Sequence, residues 1–406
     1  MLNKLAFILF IPLSLFAQKS KDSVSTASPK LGMIVLNSQT RYSSNFLSTT
    51  EFLNLATSPI INDNFLNEFY DNAMLSNSLV YFNQNSIEAP VPKTNQKLSV
   101  RLSNHSFLNT TLDKDLVGLL AKGNSFYKGK FANVNHSDFL YFTQSGISLS
   151  YTKPITTKKL FIFIKPNIQL NQTSTFYHFS IQNSSLFTEE NGEYLDLVYN
   201  YEYAIQQSPK AFSGIGINGS LTIDLITANA KTVASIGIYN VGSMRFNNSN
   251  HFYGANNSEL SYSGSFLNYN DLSSLGGTNV QTEADSLIKL IEPQKIENSS
   301  KMAQPFNLNF YIKTNVSPKD LVGFNIYYLP GYTLEPVFNL SYDRQIGKSQ
   351  FGFNLGNGAF GGLSAGLNYN YTTDKFFITS QILGLTQLNN SLHAQSGLSL
   401  TVGYIL

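Results

Sequence analysis

The sequence predicts an all-β protein, specifically a transmembrane antiparallel β-barrel of about 14 strands, within a range of roughly 12 to 16. Three observations lead to this fold class. Charged residues make up 13% of the 406-residue chain and hydrophobic residues 42%, whereas soluble domains carry about 25% charged residues. No internal run approaches the ~20 apolar residues that a membrane-spanning helix needs. Apolar and polar side chains instead alternate with period two along many segments, as in strands with one face toward lipid.

Composition excludes several classes of protein. The net charge is +2, with 27 basic and 25 acidic residues, so we expect no nucleic-acid partner. The chain has no cysteine, which excludes disulfides, thiolate metal sites and a cysteine nucleophile. We therefore expect no cofactor from these sources.

The N-terminus predicts export. Lys4 precedes the apolar run Leu5 to Phe16, and Ala17 follows it as a small residue at a suitable cleavage position. This pattern is typical of a cleaved signal peptide over residues 1–17, because the run is too short to cross a membrane.

The next segment, residues 18–96, has an irregular pattern rich in Ser, Asn and Thr. Within it, Ile61 to Met74 spaces its apolar residues roughly as a helix does. We expect an N-terminal plug or cap containing this short helix, and the alternative is a flexible leader with one surface helix.

The barrel is predicted over residues 97–406. The predicted strands are 97–107, 143–153, 160–171, 174–182, 194–206, 211–226, 231–246, 305–314, 321–329, 332–345, 350–357, 362–372, 375–387 and 394–406. The last strand alternates most regularly and is expected to close the barrel against the first one, near Leu98 to Leu102. The rival interpretation, a soluble all-β repeat protein, is disfavoured by the low charge and by the lack of an obvious repeat.

The connections between these strands fall into two classes. Five are short and polar: Pro154–Lys159, Thr227–Lys231, Asn315–Lys319, Ile346–Ser349 and Thr372–Lys375. If strands alternate in direction, all five lie at the end that holds the termini, the periplasmic end of an outer-membrane barrel. Two long excursions, 108–142 and 247–304, then lie at the other end. They contain helix candidates at Asp113 to Lys122 and Val280 to Ile291.

Candidate chemical motifs have structural explanations. Gly214, Gly216 and Gly219 form a G-x-G-x-x-G sequence, but alternation continues through it, so close packing within a strand is favoured over nucleotide binding. The five histidines are scattered, which disfavours a metal site. Ser391 and His393 could share a strand face, yet such pairs are common in a serine-rich chain, and we expect no catalytic residues.

The lumen is predicted from the polar positions of the alternating strands. The lumen-lining candidates are Asn218, Asp224, Asn307, Asn309, Lys313, Asn325, Asn354 and Asn368. This set is mostly uncharged, unlike the opposed acidic and basic clusters of a porin constriction. It fits either a filled barrel or a path for uncharged or amphipathic solutes.

Three stretches resemble a known family. Leu116–Gly129, Ser235–Phe246 and Gly356–Gly366 resemble an uncharacterised outer-membrane barrel family widespread in Bacteroidota. That family looks like a relative of the FadL long-chain fatty-acid transporters and of barrels that accompany gliding and type 9 secretion. Many of these barrels end in an aromatic residue, whereas this chain ends in Leu406 with Tyr404 two positions earlier.

The resemblance implies a FadL-like barrel that binds or passes small hydrophobic or amphipathic molecules across the outer membrane. Its expected partners are outer-membrane lipid, a hydrophobic small molecule, and other outer-membrane or periplasmic proteins. The alternative is a structural barrel whose long loops dock a secretion, gliding or uptake complex. A third hypothesis, an outer-membrane enzyme, requires a Ser or Asp close to a His at the rim, and we expect a non-enzyme.

Overall fold

The computed structural model describes residues 33–48, 51, 70–71, 73–92, 94, 97–191, 194–205, 214–246, 252–263, 294–296, 301–332, 335–359, 363–385 and 394–405. The expected signal peptide and most of the expected helix at 61–74 lie outside these residues. So does the helix candidate at 280–291. The described part of the chain forms a closed antiparallel barrel of 14 strands, as predicted.

The chain order of the elements is as follows. The strands are β1 (Met33–Ser44), β2 (Ser76–Pro90), β3 (Leu98–Asp113), β4 (Lys130–Tyr151), β5 (Lys153–Thr156), β6 (Leu160–Thr188), β7 (Tyr194–Ile205), β8 (Gly214–Thr227), β9 (Thr232–Phe246), β10 (Phe252–Ser263), β11 (Gln294–Ile296), β12 (Lys301–Ala303), β13 (Asn307–Asn315), β14 (Asp320–Tyr328), β15 (Glu335–Ile346), β16 (Ser349–Ala359), β17 (Ser364–Thr372), β18 (Phe376–Leu383) and β19 (Ala394–Ile405). A helix, α1 (Lys114–Lys122), and a 3-10 helix, Asn124–Tyr127, lie between β3 and β4.

The barrel wall is a ring of 14 of these strands. Its order is β1-β2-β3-β4-β6-β8-β9-β13-β14-β15-β16-β17-β18-β19, and β19 pairs again with β1. The short strand β5 follows β4 and pairs with β6. The closing pair runs from Met33 opposite Ile405 to Ser44 opposite Ala394. The predicted closure near Leu98 to Leu102 is therefore wrong, because these residues pair with β2 and β4.

The predicted strand number is right although four individual assignments are not. Strands β1 and β2 were missed, because they lie in the polar segment assigned to the plug. The predicted strands 160–171 and 174–182 are one 29-residue strand, β6, which pairs first with β8 and then with β7. The predicted strand 194–206 is β7, which lies outside the ring. The total remains 14 because the two missed strands are offset by two extra ones, from the division of β6 and from the inclusion of β7.

Strand β7 belongs to a sheet that rises beyond the ring. It pairs with the second half of β6, from Tyr177 to Thr188, and with β10. The wall is correspondingly uneven in length: β4 has 22 residues and β6 has 29, whereas β17 has 9 and β18 has 8. We call the barrel end that holds Met33 and Ile405 the turn side, and the opposite end the loop side.

The tight turns and long connections separate as predicted. Antiparallel pairing places all five short turns at the turn side, together with the connection from β2 to β3. The predicted excursion 108–142 is shorter than expected, because β3 continues to Asp113 and β4 begins at Lys130. Strands β10, β11 and β12 lie within the second excursion.

Helix α1 agrees with its prediction. The Asp113 side chain accepts a hydrogen bond from the backbone N–H of Asp115, which is an N-cap, and Gly123 follows the last helical residue with φ of 75°. Among the described residues, no helix is both long and apolar enough to cross a membrane.

The residues that directly follow β1 pack on the outside of the wall. Phe46 and Leu47 form a buried cluster with Tyr42, Leu79 and Tyr81 on the outer face at the loop side. The Tyr42 hydroxyl donates a hydrogen bond to the carbonyl of Leu47, at 2.8 Å. The wall thus begins at β1 rather than at residue 97.

The outer face of the ring is apolar over most of its circumference. One row of directly opposite, exposed residues crosses six neighbouring strands: Leu36, Ile87, Leu102, Ile147, Leu170 and Ile217. Because a closed ring pairs its backbone groups internally, this face can contact hydrocarbon at low cost. The fold is that of a membrane-spanning barrel whose outer face is mostly apolar.

Candidate functional site: the barrel lumen

The eight lumen-lining candidates alternate with residues of the outer face. Asn218 and Asp224 lie on β8, Asn307, Asn309 and Lys313 on β13, Asn325 on β14, Asn354 on β16 and Asn368 on β17. Their neighbours Ile217, Leu308, Ile312 and Leu367 are exposed on the outside. The structure brings Asn354 and Asn368 together, with Nδ2 of Asn354 donating to Oδ1 of Asn368 at 2.9 Å.

The turn-side half of the lumen is more charged than expected. Three ion pairs lie on its wall: Glu88 with Arg101, Lys165 with Asp224 at 2.5 Å, and Lys313 with Asp343 at 3.9 Å. Glu88 and Arg101 are directly opposite on β2 and β3. The lumen is more charged than expected because Glu88 lies before the first predicted strand, and because Arg101, Lys165 and Asp343 lie within predicted strands but were not assigned to the lumen.

Two glycines make room for the third ion pair. A Cβ on Gly323 would lie 3.1 Å from Cγ of Lys313, so Lys313 can cross over β14 toward Asp343. A Cβ on Gly352 would collide with the Asp343 carboxylate. Asn368 donates to Oδ1 of Asp343 at 3.2 Å, which extends the network into the neighbouring strands. The turn-side lumen is therefore held by cross-strand polar contacts.

The loop-side half of the lumen is filled by apolar side chains. We call this set the apolar cluster: Val80, Phe107, Leu140, Phe142, Phe176, Ala204, Met244, Phe246, Leu329 and Val337, with Phe82, Met302, Tyr327 and Tyr332 packed against it. The rings of Phe107 and Phe142 stack with centroids 5.4 Å apart, and those of Phe176 and Phe246 lie 4.1 Å apart. This cluster joins opposite sides of the barrel and narrows its interior.

Sequence reasoning missed the apolar cluster for an identifiable reason. Inward positions were sought among polar residues, whereas Phe142 and Phe176 are inward and fully buried. Their neighbours Tyr141 and Tyr177 point outward, so apolar residues occupy both faces and alternation disappears. Consecutive aromatic residues in an otherwise alternating strand are the signal that could have found the cluster.

The turn between β14 and β15 folds into the lumen. We call residues 329–332 the lid turn. Leu329 is buried in the apolar cluster, and the Tyr332 ring packs edge-on against Phe107 with centroids 5.0 Å apart. Burial, and then the charge of Asp138, raise the pKa of Tyr332 to about 12. Gly331 has φ of 81°, a conformation that glycine adopts without strain. The lid turn therefore fills part of the lumen at the loop side.

The G-x-G-x-x-G segment packs against this interior. A Cβ on Gly216 would lie 2.6 Å from Nε2 of Gln304, and one on Gly214 would lie 3.0 Å from the Phe246 ring. Asn218 donates to Gln304 at 2.6 Å. The segment is the middle of a strand rather than a strand-to-helix turn, so its glycines serve close packing, as expected.

Two cavities lie along the lumen. The larger has a volume of about 630 Å³ and the smaller about 330 Å³, and both volumes include space that is open to solvent. The larger is lined by Arg41, Tyr42, Ser43, Val80, Phe82, Asn325, Tyr327, Leu329, Val337, Asn339, Gln381, Leu383 and Ser396. The smaller is lined by Phe82, His105, Phe107, Phe142, Asn240, Gln304, Pro305, Asn307, Tyr327 and Leu329. Phe82, Tyr327 and Leu329 belong to both, so one thin wall of side chains separates them.

Arg41 is the cation of the larger cavity. Its guanidinium carbon lies 4.3 Å from the centre of the Tyr327 ring, a cation–π contact. Among the described residues, none of the ion pairs includes Arg41. In the orientation that satisfies both groups, the Gln39 carboxamide oxygen accepts from Nη2 of Arg41 at 2.7 Å. The cavity thus combines one positive group, several amides and an apolar wall.

The histidines do not form a metal site within the described residues, and Ser391 and His393 lie outside them. His178 lies 3.1 Å from Asp138 across β4 and β6, toward the loop side. Such a pair meets one requirement of the enzyme hypothesis, but a catalytic site also needs a nucleophile and a substrate cavity. Neither Asp138 nor His178 lines a cavity described above.

Comparisons with known proteins give structural likeness alone. No protein-family model matches the chain, and none of the curated proteins matches it in sequence. Among solved structures, the Ralstonia pickettii toluene transporter TbuX is similar over 92% of this chain and 88% of its own, at 10% identity and a TM-score of 0.40. The Pseudomonas putida toluene transporter TodX is similar over 92% of this chain and 87% of its own, at 10% identity and a TM-score of 0.36. A Pseudomonas aeruginosa FadL homologue is similar over 92% of this chain and 87% of its own, at 9% identity and a TM-score of 0.36. At these TM-scores the likeness identifies neither a family nor a substrate for this chain.

Proposed function

We propose that the protein is a FadL-like outer-membrane barrel that binds small amphipathic molecules in its lumen and passes them across the membrane. The separation of tight turns and long connections supports an outer-membrane position, with the turn side in the periplasm. The apolar outer face supplies the lipid contact.

The observation that carries this proposal is the larger cavity with Arg41 at its wall. A passive structural barrel needs no cavity at all, and a porin needs a continuous aqueous channel. Here the cavity lining includes apolar side chains, at Val80, Phe82 and Leu329, and amide side chains, at Asn325 and Asn339. Such a lining suits a molecule that is apolar along its length and polar at one end.

The charge of Arg41 defines the polar end. Within the described part of the chain, Arg41 forms no ion pair with a carboxylate. Such a guanidinium can bind an anionic group through charge-assisted hydrogen bonds, which are stronger than neutral ones. The ring of Tyr327 holds the guanidinium plane in place. We therefore expect the ligand to be an anionic amphiphile, with its apolar part against Phe82 and Leu329.

Arg41→Gln tests the proposal. Protein in lipid nanodiscs is titrated with dodecanoate, dodecanol and dodecyltrimethylammonium by isothermal calorimetry. We expect the parent protein to bind dodecanoate most tightly. Arg41→Gln should weaken the affinity for dodecanoate by roughly 10-fold to 100-fold, because about 1.5–3 kcal/mol is lost with a hydrogen bond to a charged group. The affinity for dodecanol should change little.

Arg344→Gln is the matched control. Arg344 has a 58% exposed side chain near the turn side, so its loss should leave all three titrations unchanged. Equal affinity of Arg41→Gln and the parent protein for dodecanoate, or no binding of any of the three probes, would contradict the proposed function.

A further inference from the structure

One part of the outer face carries mostly polar side chains, and it continues from β3 onto β4 at Thr143 and Ser145. We call Ser38 and Thr40 on β1, Asn83 and Asn85 on β2, and Asn104 and Ser106 on β3 the polar sector. Its members form two directly opposite rows, Ser38–Asn85–Asn104 and Thr40–Asn83–Ser106. They alternate along their strands with inward residues such as Arg41 and His105, which line the cavities.

The polar sector lies at the depth of the hydrocarbon. Ser38, Asn85 and Asn104 are five, five and six positions from the turn-side ends of their strands, at Met33, Pro90 and Leu98. At ~3.3 Å per residue and a tilt of about 40°, this places them roughly 13 to 15 Å above the turn side. The apolar band of such barrels is about 25 Å tall, so the row crosses its middle.

Other strands carry apolar side chains at this depth. Phe310 on β13, Phe324 on β14, Leu340 on β15, Phe353 on β16 and Leu367 on β17 are four to six positions from the turn-side ends of their strands. Leu340, Phe353 and Leu367 are each at least half exposed. The polar sector is therefore a local exception on one side of the barrel.

The sector's hydrogen bonds are incomplete. Ser38, which is 7% exposed, bonds to Asn85, Asn85 donates to Asn83 at 3.4 Å, and Asn104 donates to Ser145 at 3.1 Å. Asn83 and Ser106 also form hydrogen bonds with the hydroxyl groups of Tyr81 and Tyr141. Each asparagine amide offers two donors and an acceptor with two lone pairs, so part of this capacity is unused within the described residues. Lipid chains cannot satisfy it, and an amide in an apolar medium without partners costs several kcal/mol by transfer to alkane.

We propose that the polar sector is the contact between two copies of this chain, packed side by side about a two-fold axis. All six side chains are amides or hydroxyls, which donate as well as accept, so the same sector on a second copy is complementary to it. The sector carries no charge, which argues against a lipid phosphate as its occupant. Side chains with amide or hydroxyl groups also form hydrogen bonds between protein segments within membranes.

The absence of cysteine from the chain allows a direct test. Asn104→Cys introduces one thiol at the exposed edge of the sector, and Leu367→Cys introduces one at a similar depth on β17. Both variants are oxidised in native membranes and separated without reductant. We expect a disulfide-linked dimer, at twice the mass of the monomer, for Asn104→Cys and none for Leu367→Cys.

A second measurement distinguishes a stable dimer from cross-links that form when monomers meet at random in the membrane. Asn85→Leu with Asn104→Leu removes the central amides and replaces them with side chains that lipid tolerates, so the barrel should fold. Mixing donor-labelled and acceptor-labelled protein in lipid vesicles should then show energy transfer reduced by at least half relative to the parent protein. Absence of the Asn104→Cys dimer, cross-linking of that variant to a different protein, or unchanged energy transfer in the double variant would overturn the proposal.

Discussion

Leu340 and Ile346 show how much the position of a single residue along a strand decides. Both lie on the outer face of β15, and they are 58% and 60% exposed. Ile346 is the last residue of the strand at the turn side, whereas Leu340 is six positions further into the wall. Leu340 and Ile346 therefore have similar exposed fractions but lie at different depths in the membrane.

A charge at these two positions should have different costs. Leu340→Arg should lower the free energy of unfolding by about 2–4 kcal/mol, and Ile346→Arg by about 0–1 kcal/mol, because the cost of a lipid-facing arginine falls toward the interface. Guanidinium-induced unfolding in lipid vesicles measures both. Equal losses would mean that the two residues do not differ in depth.

Residues like Leu340 could be predicted from the sequence, but Arg41 could not. Leu340 alternates with Asn339 and Ser341, so its face follows from period two alone. Arg41 lies between Thr40 and Tyr42 in a strand whose outer residues are themselves polar. Its role depends on contact with Tyr327, nearly 300 positions later in the chain, and such a contact leaves no local pattern.

At the scale of elements, β1 explains why the N-terminal part of the wall was missed. Alternation is visible when one face is apolar and the other polar, and β1 and β2 are polar on both faces over Ser38, Thr40, Asn83 and Asn85. The C-terminal strands β13 to β19 have mostly apolar outer faces, and the ends of each strand were predicted to within four residues. The polar sector thus hid the alternation of β1 and β2 in the sequence, and the same residues support the proposed contact between two copies of the chain.

Paired cysteines can test the closure of the ring. Asn37 and Thr401 are directly opposite in the β1–β19 pair, and directly opposite Cα atoms are about 4.5–5.5 Å apart, within the range of a disulfide. Asn37→Cys with Thr401→Cys should form a disulfide on mild oxidation, seen as loss of maleimide labelling after denaturation. Ser99→Cys with Thr401→Cys, which represents the closure against β3, should remain fully labelled, and the opposite result would refute the observed ring.

At the scale of the whole molecule, the lumen has a polar half toward the turn side and an apolar half toward the loop side. The ion pairs of Glu88, Lys165 and Lys313 lie in the first half, and the apolar cluster with the lid turn lies in the second. Leu329 of the lid turn lines the cavity of Arg41, so movement of the lid turn would change the access of a solute to that cavity from the loop side. This packing implies gated rather than open passage.

The state of Tyr332 should control this gate at alkaline pH. Its pKa is raised from an ordinary value of 10 to about 12 in the closed form, so the neutral phenol stabilises closure fully below pH 10, and this contribution is lost as the pH rises through about 12. We expect conductance in planar bilayers to be low at pH 8 and to rise between pH 10 and 12. Tyr332→Phe, which cannot ionise, should stay closed over the same range, and an equal rise in this variant would exclude Tyr332 as the cause.

The uneven lengths of the strands give the molecule a preferred side of approach. At ~3.3 Å per residue, strand β6 contains about 96 Å of extended chain and β18 about 26 Å. The wall at β6 therefore extends far beyond the membrane, whereas the described wall at β18 ends near the membrane surface. The low side belongs to β18, and β18 supplies Gln381 and Leu383 to the cavity of Arg41. Within the part of the chain that the structure describes, the shortest path from the external medium to the binding cavity therefore crosses this low rim, and a molecule spread along the outer leaflet would meet it first.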